Sequence, residues 1–215
     1  MADSRYIAIE GPIGVGKTSL ARRLAESLDS ELLLEGADAN PFLERFYRDP
    51  RGAALPTQLF FLFQRVQQVE QLRQADIFSD TRVSDFMIEK DRLFAEINLD
   101  RDELRLYDKV FESLKVAPPA PDLVIYLQAP VDTLLFRIAR RGIGFEQRIN
   151  RRYLERLTDA YARFFHDYAD APLLIVNAST IDPIHNDMHY QMLLDEIVRV
   201  RSGRHFFNPL ESALA

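Results

Sequence analysis

The chain has no cysteine among its 215 residues. Disulfides, thiolate nucleophiles and Cys-ligated zinc are therefore excluded, and any metal must be held by oxygen or imidazole. A reducing cytoplasm is the expected location. Long hydrophobic runs are also missing. The densest, Leu59-Phe60-Phe61-Leu62-Phe63, is far short of the roughly 20 apolar residues a membrane helix requires. The start of the sequence lacks a basic flank followed by an apolar stretch, so neither export nor a membrane span is expected. Nor is there an excess of positive charge: 27 basic against 33 acidic residues give a net charge of −6. Such a balance repels a nucleic-acid backbone and argues against nucleic acid as a partner, while a small phosphorylated ligand needs only a local basic cluster. No repeat or low-complexity segment is found.

What is present is a chain with 47% apolar side chains, enough for one buried α/β core. Short apolar runs alternate with longer amphipathic stretches, the pattern of a parallel sheet flanked by helices. Five strands are expected at 6–10, 31–35, 81–86, 123–127 and 173–176. Helices are expected at 17–28, 56–74, 103–114, 131–141, 150–165 and 189–200. In the fifth helix Ile149, Tyr153, Leu157, Tyr161 and Phe164 form one stripe, read as packing without chemistry. The expected organisation is one domain over 1–201 and a tail over 202–215, read as a loop or a docked extension.

Directly after the first expected strand comes Gly11-Pro12-Ile13-Gly14-Val15-Gly16-Lys17-Thr18-Ser19, which satisfies the phosphate-loop spacing G-x-x-x-x-G-K-[ST] and opens into a helix. Glycines let backbone N–H groups turn towards phosphate oxygens. Lys17 can reach the outer phosphates, and the Thr18 hydroxyl can ligate Mg²⁺. ATP with Mg²⁺ is the expected ligand pair. The second strand is expected to end at Glu35, and ligands of such sheets bind beyond the carboxyl ends of the strands. A carboxylate there suits an alcohol acceptor, which must lose a proton, better than a monophosphate, which arrives ionised. Position alone leaves a solvated strand end equally open. Asp85, at the end of the third expected strand, is either a second oxygen ligand for Mg²⁺ or a helix N-cap.

The continuation Glu35-Gly36-Ala37-Asp38-Ala39-Asn40-Pro41-Phe42-Leu43-Glu44-Arg45-Phe46-Tyr47, followed by Gln58 and Arg65 on a long helix, resembles the deoxyribonucleoside kinase family, and especially its bacterial deoxyadenosine/deoxyguanosine kinase branch. The likeness runs from the phosphate loop to Arg141. It implies a P-loop kinase fold with an arginine-bearing lid and a homodimer. It also implies ATP-dependent 5′-phosphorylation of a deoxyribonucleoside, most readily a purine, for nucleotide salvage. By the same resemblance Glu35 is the catalytic base, Tyr47 holds the sugar 3′-hydroxyl, and Gln58 and Arg65 read the nucleobase. The family pairs the acid at position 85 with a following arginine; here Phe86 follows, which leaves that role to Lys90 or to the lid.

Arg137, Arg140 and Arg141 lie on neighbouring helical positions just before Gly142-Ile143-Gly144. This suits a lid delivering guanidinium groups to a transferring phosphoryl, although a solvated basic face would read the same way. By resemblance Arg137 and Arg141 match lid arginines, Ile143 replaces a third, and Glu146 touches the 3′-hydroxyl. The turn 177–183 falls where related kinases wrap adenine. Two other readings compete: a nucleoside monophosphate kinase of the thymidylate type, which needs an arginine for the acceptor phosphate, and a non-catalytic ATP-binding module.

Overall fold

The computed structural model describes residues 5–73 and 81–209. Position 74, the expected end of the second helix, lies outside the described residues. Six parallel strands form one sheet in the order β2-β3-β1-β4-β5-β6. They are β1 (Arg5–Glu10), β2 (Glu31–Leu33), β3 (Thr81–Ser84), β4 (Leu123–Gln128), β5 (Leu173–Asn177) and β6 (Arg204–Phe207). Five of them match the expected runs. The sixth falls in the segment expected to be a loop or docked extension, pairing Leu173 with Arg204 and Val176 with Phe207. Its sequence, Arg-His-Phe-Phe, has too short an apolar run to signal a strand. As an edge strand it buries neither face fully, and Phe206 is 71% exposed. Neighbouring backbone supplies what its side chains do not.

Helices cover the sheet: α1 (Lys17–Ser27), α2 (Leu43–Arg48), α3 (Ala54–Arg73), α4 (Glu89–Asn98), α5 (Arg101–Leu114), α6 (Val131–Arg141), α7 (Arg151–Asp167) and α8 (Asp187–Arg199). Two of these, α2 and α4, are absent from the sequence expectation. The first is a short helix without a side-chain cap. The second buries Lys90 and Asp91 beside Leu93 and Ala95, so its inward face is not an apolar stripe and periodicity does not reveal it. No helix among the described residues is long and apolar enough to cross a membrane.

Central strands β1 and β4 are buried on both faces, as expected of a parallel sheet between helical layers. Strand β1 pairs with β3 on one side and β4 on the other, yet the chain leaves it for β2. The strand order therefore reverses at the carboxyl end of β1, where a crevice opens. Three loops meet there: the one after β1 carrying Gly11 to Lys17, the one after β2 carrying Glu35, and the one after β3 carrying Asp85.

Candidate active site

The phosphate loop is pressed between β4 and α6. A Cβ on Gly11, at φ +147°, would lie 2.5 Å from the Leu127 carbonyl oxygen. One on Gly14, at φ +83°, would lie 2.8 Å from Ile138 Cγ1 and 3.0 Å from the Leu134 carbonyl. Both positions demand glycine for space as well as for backbone conformation. Helix α1 begins after Gly16 with no side chain capping it, so the N–H groups of its first turn and its positive end are offered to an anion. Lys17 folds back over the loop, its Nζ donating to the carbonyls of Gly11 (2.8 Å) and Pro12 (3.3 Å). Burial, reinforced by the nearby Lys90 ammonium, pulls its pKa down to about 8 against the opposing pull of Glu10, Glu35 and Asp85. Beneath the loop, buried Glu10 accepts from Gly11 N and Tyr161 Oη through one oxygen and from Met87 N through the other. Sequence reasoning saw Glu10 only as a strand end.

Asp85 connects the phosphate loop to the Glu35 loop. Its Oδ2 accepts from Thr18 Oγ1 at 2.5 Å and its Oδ1 from Glu35 N at 2.8 Å. Beyond it lies a cavity lined by Lys17, Thr18, Glu35, Arg65, Asp85 and Lys90, with Tyr47, Gln58, Arg141, Glu146 and Tyr153 completing the wall. Glu35 is paired with Lys90 Nζ at 2.7 Å and with the Arg65 guanidinium. Burial alone would raise its pKa; Lys90 and Arg65 outweigh that and hold the carboxyl down at about 2. Lys90, on α4, is thus a buried cation beside Glu35, while Phe86, which follows Asp85, is wholly buried.

The far end of the cavity is built by α3. Gln58 and Arg65 are seven residues, about two turns, apart and both line the cavity. Gln58 Oε1 and Arg65 Nε are buried without a hydrogen-bond partner among the described residues, a costly state that a polar ligand would relieve. The same helix braces the Glu35 loop: Gln64 Nε2 donates to the Glu35 carbonyl and Gln68 Nε2 to the Leu34 carbonyl. Arg65 also pairs with fully buried Asp91, which accepts from Tyr107 Oη at 2.6 Å. Neither Asp91 nor Tyr107 carried a signal readable in sequence, because their helices meet only in the fold.

Tyr47 stacks on Phe145, centroids 5.9 Å apart and rings inclined by 10°. Glu146 pairs with Arg141. Burial, then the neighbouring Tyr153 and Glu146, keeps the Tyr47 phenol protonated far above neutrality. Tyr153, read in sequence as packing, belongs to the cavity wall. Arg137 is placed differently from Arg141: its guanidinium donates to the carbonyls of Val15 (3.1 Å) and Ala178 (2.7 Å). It lines an adjoining cleft with Val15, Gly16, Ser19 and Asp182. That cleft and the acceptor cavity share Gly14 and Arg141, so the two meet at the phosphate loop.

Residues 7–200 match the family model for deoxynucleoside kinase. The chain belongs to the deoxynucleoside kinase family. This kinase is 37% identical over 164 residues to the deoxyguanosine kinase of Bacillus subtilis (strain 168), covering 75% of this chain and 78% of the relative. It is 32% identical over 207 residues to the deoxyadenosine kinase of Lactobacillus acidophilus, covering 90% and 94%. Its fold matches that of M. mycoides deoxyadenosine kinase, solved with bound dATP, with TM-score 0.78 at 24% identity over 90% of this chain and 99% of that one.

Proposed function

We propose that this deoxynucleoside kinase transfers the γ-phosphoryl of ATP to the 5′-hydroxyl of a purine deoxyribonucleoside. The observation that carries the reading is one cavity in which Asp85 bridges the phosphate-loop hydroxyl of Thr18 to the backbone of Glu35, with the unsatisfied Gln58 and Arg65 groups within the same walls. The nucleoside oxygen forms the new bond to the γ-phosphorus as the bond from that phosphorus to the bridging oxygen breaks, ADP leaves, and the hydroxyl proton passes to Glu35. A carboxylate with a pKa near 2 is a weak base. It is also ionised at every working pH, and in a loose transition state the proton moves late, so orientation of the hydroxyl is its main task.

Lys17, Lys90 and Arg141 are the cations available to the transferring oxygens. Mg²⁺ fits the hard oxygen donors of Thr18 and Asp85. When bound, it offsets negative charge on the β- and γ-phosphate oxygens. The adjoining cleft beside Arg137 and Asp182 suits the adenosine of ATP. Tyr47 and Glu146 are assigned to the sugar 3′-hydroxyl. The purine preference draws on the named activities of the relatives, deoxyguanosine and deoxyadenosine phosphorylation. A homodimer working in the cytoplasm completes the proposal. Of the apolar run 59–63, Leu62 is wholly buried and Phe61 lines the cavity, while Leu59 and Phe60 are half-buried and Phe63 is exposed.

The test is ATP-dependent phosphate transfer to each of the four deoxynucleosides and to dTMP, with Glu35→Gln in parallel. Turnover on deoxyadenosine or deoxyguanosine that collapses in the variant is expected. Transfer to dTMP alone would overturn the reading.

A further inference from the structure

The nucleoside cavity ends at Arg65, but the hydrogen-bonded chain does not. Arg65 divides its guanidinium between Glu35, on the cavity wall, and Asp91, which is fully buried behind it. Asp91 in turn has a second partner, the hydroxyl of Tyr107 at 2.6 Å. Tyr107 is completely buried and comes from α5, an element that contributes no residue to the cavity.

We infer that Tyr107 is a positioning residue for the nucleoside: its hydroxyl fixes Asp91, Asp91 fixes Arg65, and Arg65 is thereby held at the base end of the cavity instead of collapsing wholly onto Glu35. The inference rests on the nucleoside-kinase reading given above. Its physical ground is the competition for Arg65. Two carboxylates pull on one guanidinium, and the Asp91 pull lasts only while Asp91 is ionised. Burial drives the Asp91 pKa up, against Arg65 first and then the Tyr107 hydrogen bond, which favour the charged form. The phenol itself is pushed far above neutrality by burial and by Asp91, so it donates at every working pH. Charged groups near Asp91 are Arg65 on α3, Glu35 beyond β2 and its chain neighbour Lys90 on α4; Asp108 lies beside Tyr107 on α5. Of these, Glu35 opposes its ionisation.

The decisive variant is Tyr107→Phe, which removes one oxygen and keeps the ring in place. A hydrogen bond to a charged group corresponds to about a ten- to hundredfold effect, so KM for deoxyadenosine or deoxyguanosine is expected to rise by about tenfold or more. KM for ATP should stay at the wild-type value. The acid-side fall of kcat/KM for the nucleoside should move to higher pH, because Asp91 protonates more readily. In an Asp91→Asn background the same substitution should add no further loss. Nucleoside binding is followed by titration calorimetry alongside turnover. A variant that melts earlier but keeps the wild-type nucleoside KM and pH profile overturns the inference, as do losses that multiply in the double variant. Wild-type protein that neither binds nor phosphorylates any of the four deoxynucleosides sinks the functional reading and this inference with it.

Discussion

At the scale of single residues, the proposed transfer rests on one carboxylate and one ammonium. Glu35→Gln keeps the shape of the side chain but removes the negative charge that orients the hydroxyl and receives its late-moving proton. Turnover should fall by about 10²- to 10⁴-fold with KM for ATP little changed, as steady-state kinetics would reveal. Lys17, with a pKa held near 8, makes the opposite kind of prediction. Below that pH it is an ammonium; above it, the unliganded protein loses the charge that meets the phosphates. KM for ATP should therefore rise as pH increases through 8, and calorimetry in buffers of different ionisation enthalpy should detect proton uptake on ATP binding there. The stability effect runs the other way: between about 8 and the usual lysine range near 10.4 the unfolded chain binds the extra proton, so this residue's destabilising contribution diminishes with rising pH. The phosphate loop was legible in sequence because its glycines and Lys-Thr pair act through local backbone geometry. Asp91, Tyr107 and Glu10 were not, since a buried polar residue has meaning only through partners that the fold brings from elsewhere.

At the scale of elements, α3 does two jobs. One face carries Gln58 and Arg65 into the cavity, and the same helix holds the Glu35 loop through Gln64 and Gln68. Its apolar run is visible in sequence, but which of its residues face ligand, core or solvent is decided by the neighbours of each turn. Helix α4 was invisible for the converse reason, its buried face mixing Lys90 and Asp91 with Leu93 and Ala95. Helix α5 starts with a capping box in which Asp100 accepts from Asp102 N and Glu103 N while the Glu103 side chain accepts from Asp100 N. Asp100→Ala should cost about 1 kcal/mol of stability, read as a lower midpoint in chemical denaturation, with KM for ATP unaltered. Strand β6 shows the limit of pattern reading at a sheet edge, where pairing needs backbone complementarity more than apolar side chains.

At the scale of the whole molecule, a net charge of −6 coexists with a cavity whose wall holds four cations, Lys17, Arg65, Lys90 and Arg141, against three carboxylates, Glu35, Asp85 and Glu146. The slight local excess of positive charge is small against a triphosphate. Chelating Mg²⁺ should accordingly abolish turnover and weaken ATP binding, an outcome accessible to titration with and without EDTA. Retained affinity and activity without the metal would contradict the assignment of Thr18 and Asp85. The central strands and the helix layers were largely readable because parallel strands buried on both faces leave apolar runs, whereas the order of the strands was not. That Glu35 and Asp85 lie at strand ends near the phosphate loop was anticipated, whereas the reversal of strand order there and the ionic contacts that complete the site were not.

The division of Arg65 between Glu35 and Asp91 bears on how such an enzyme can change over generations. A mutation of Arg65 also alters the charge balance at Glu35, so in the proposed mechanism selectivity and speed share one node. Libraries selected for a new nucleoside should first yield slow enzymes, with recovery coming from secondary changes around Lys90, the other cation that holds Glu35.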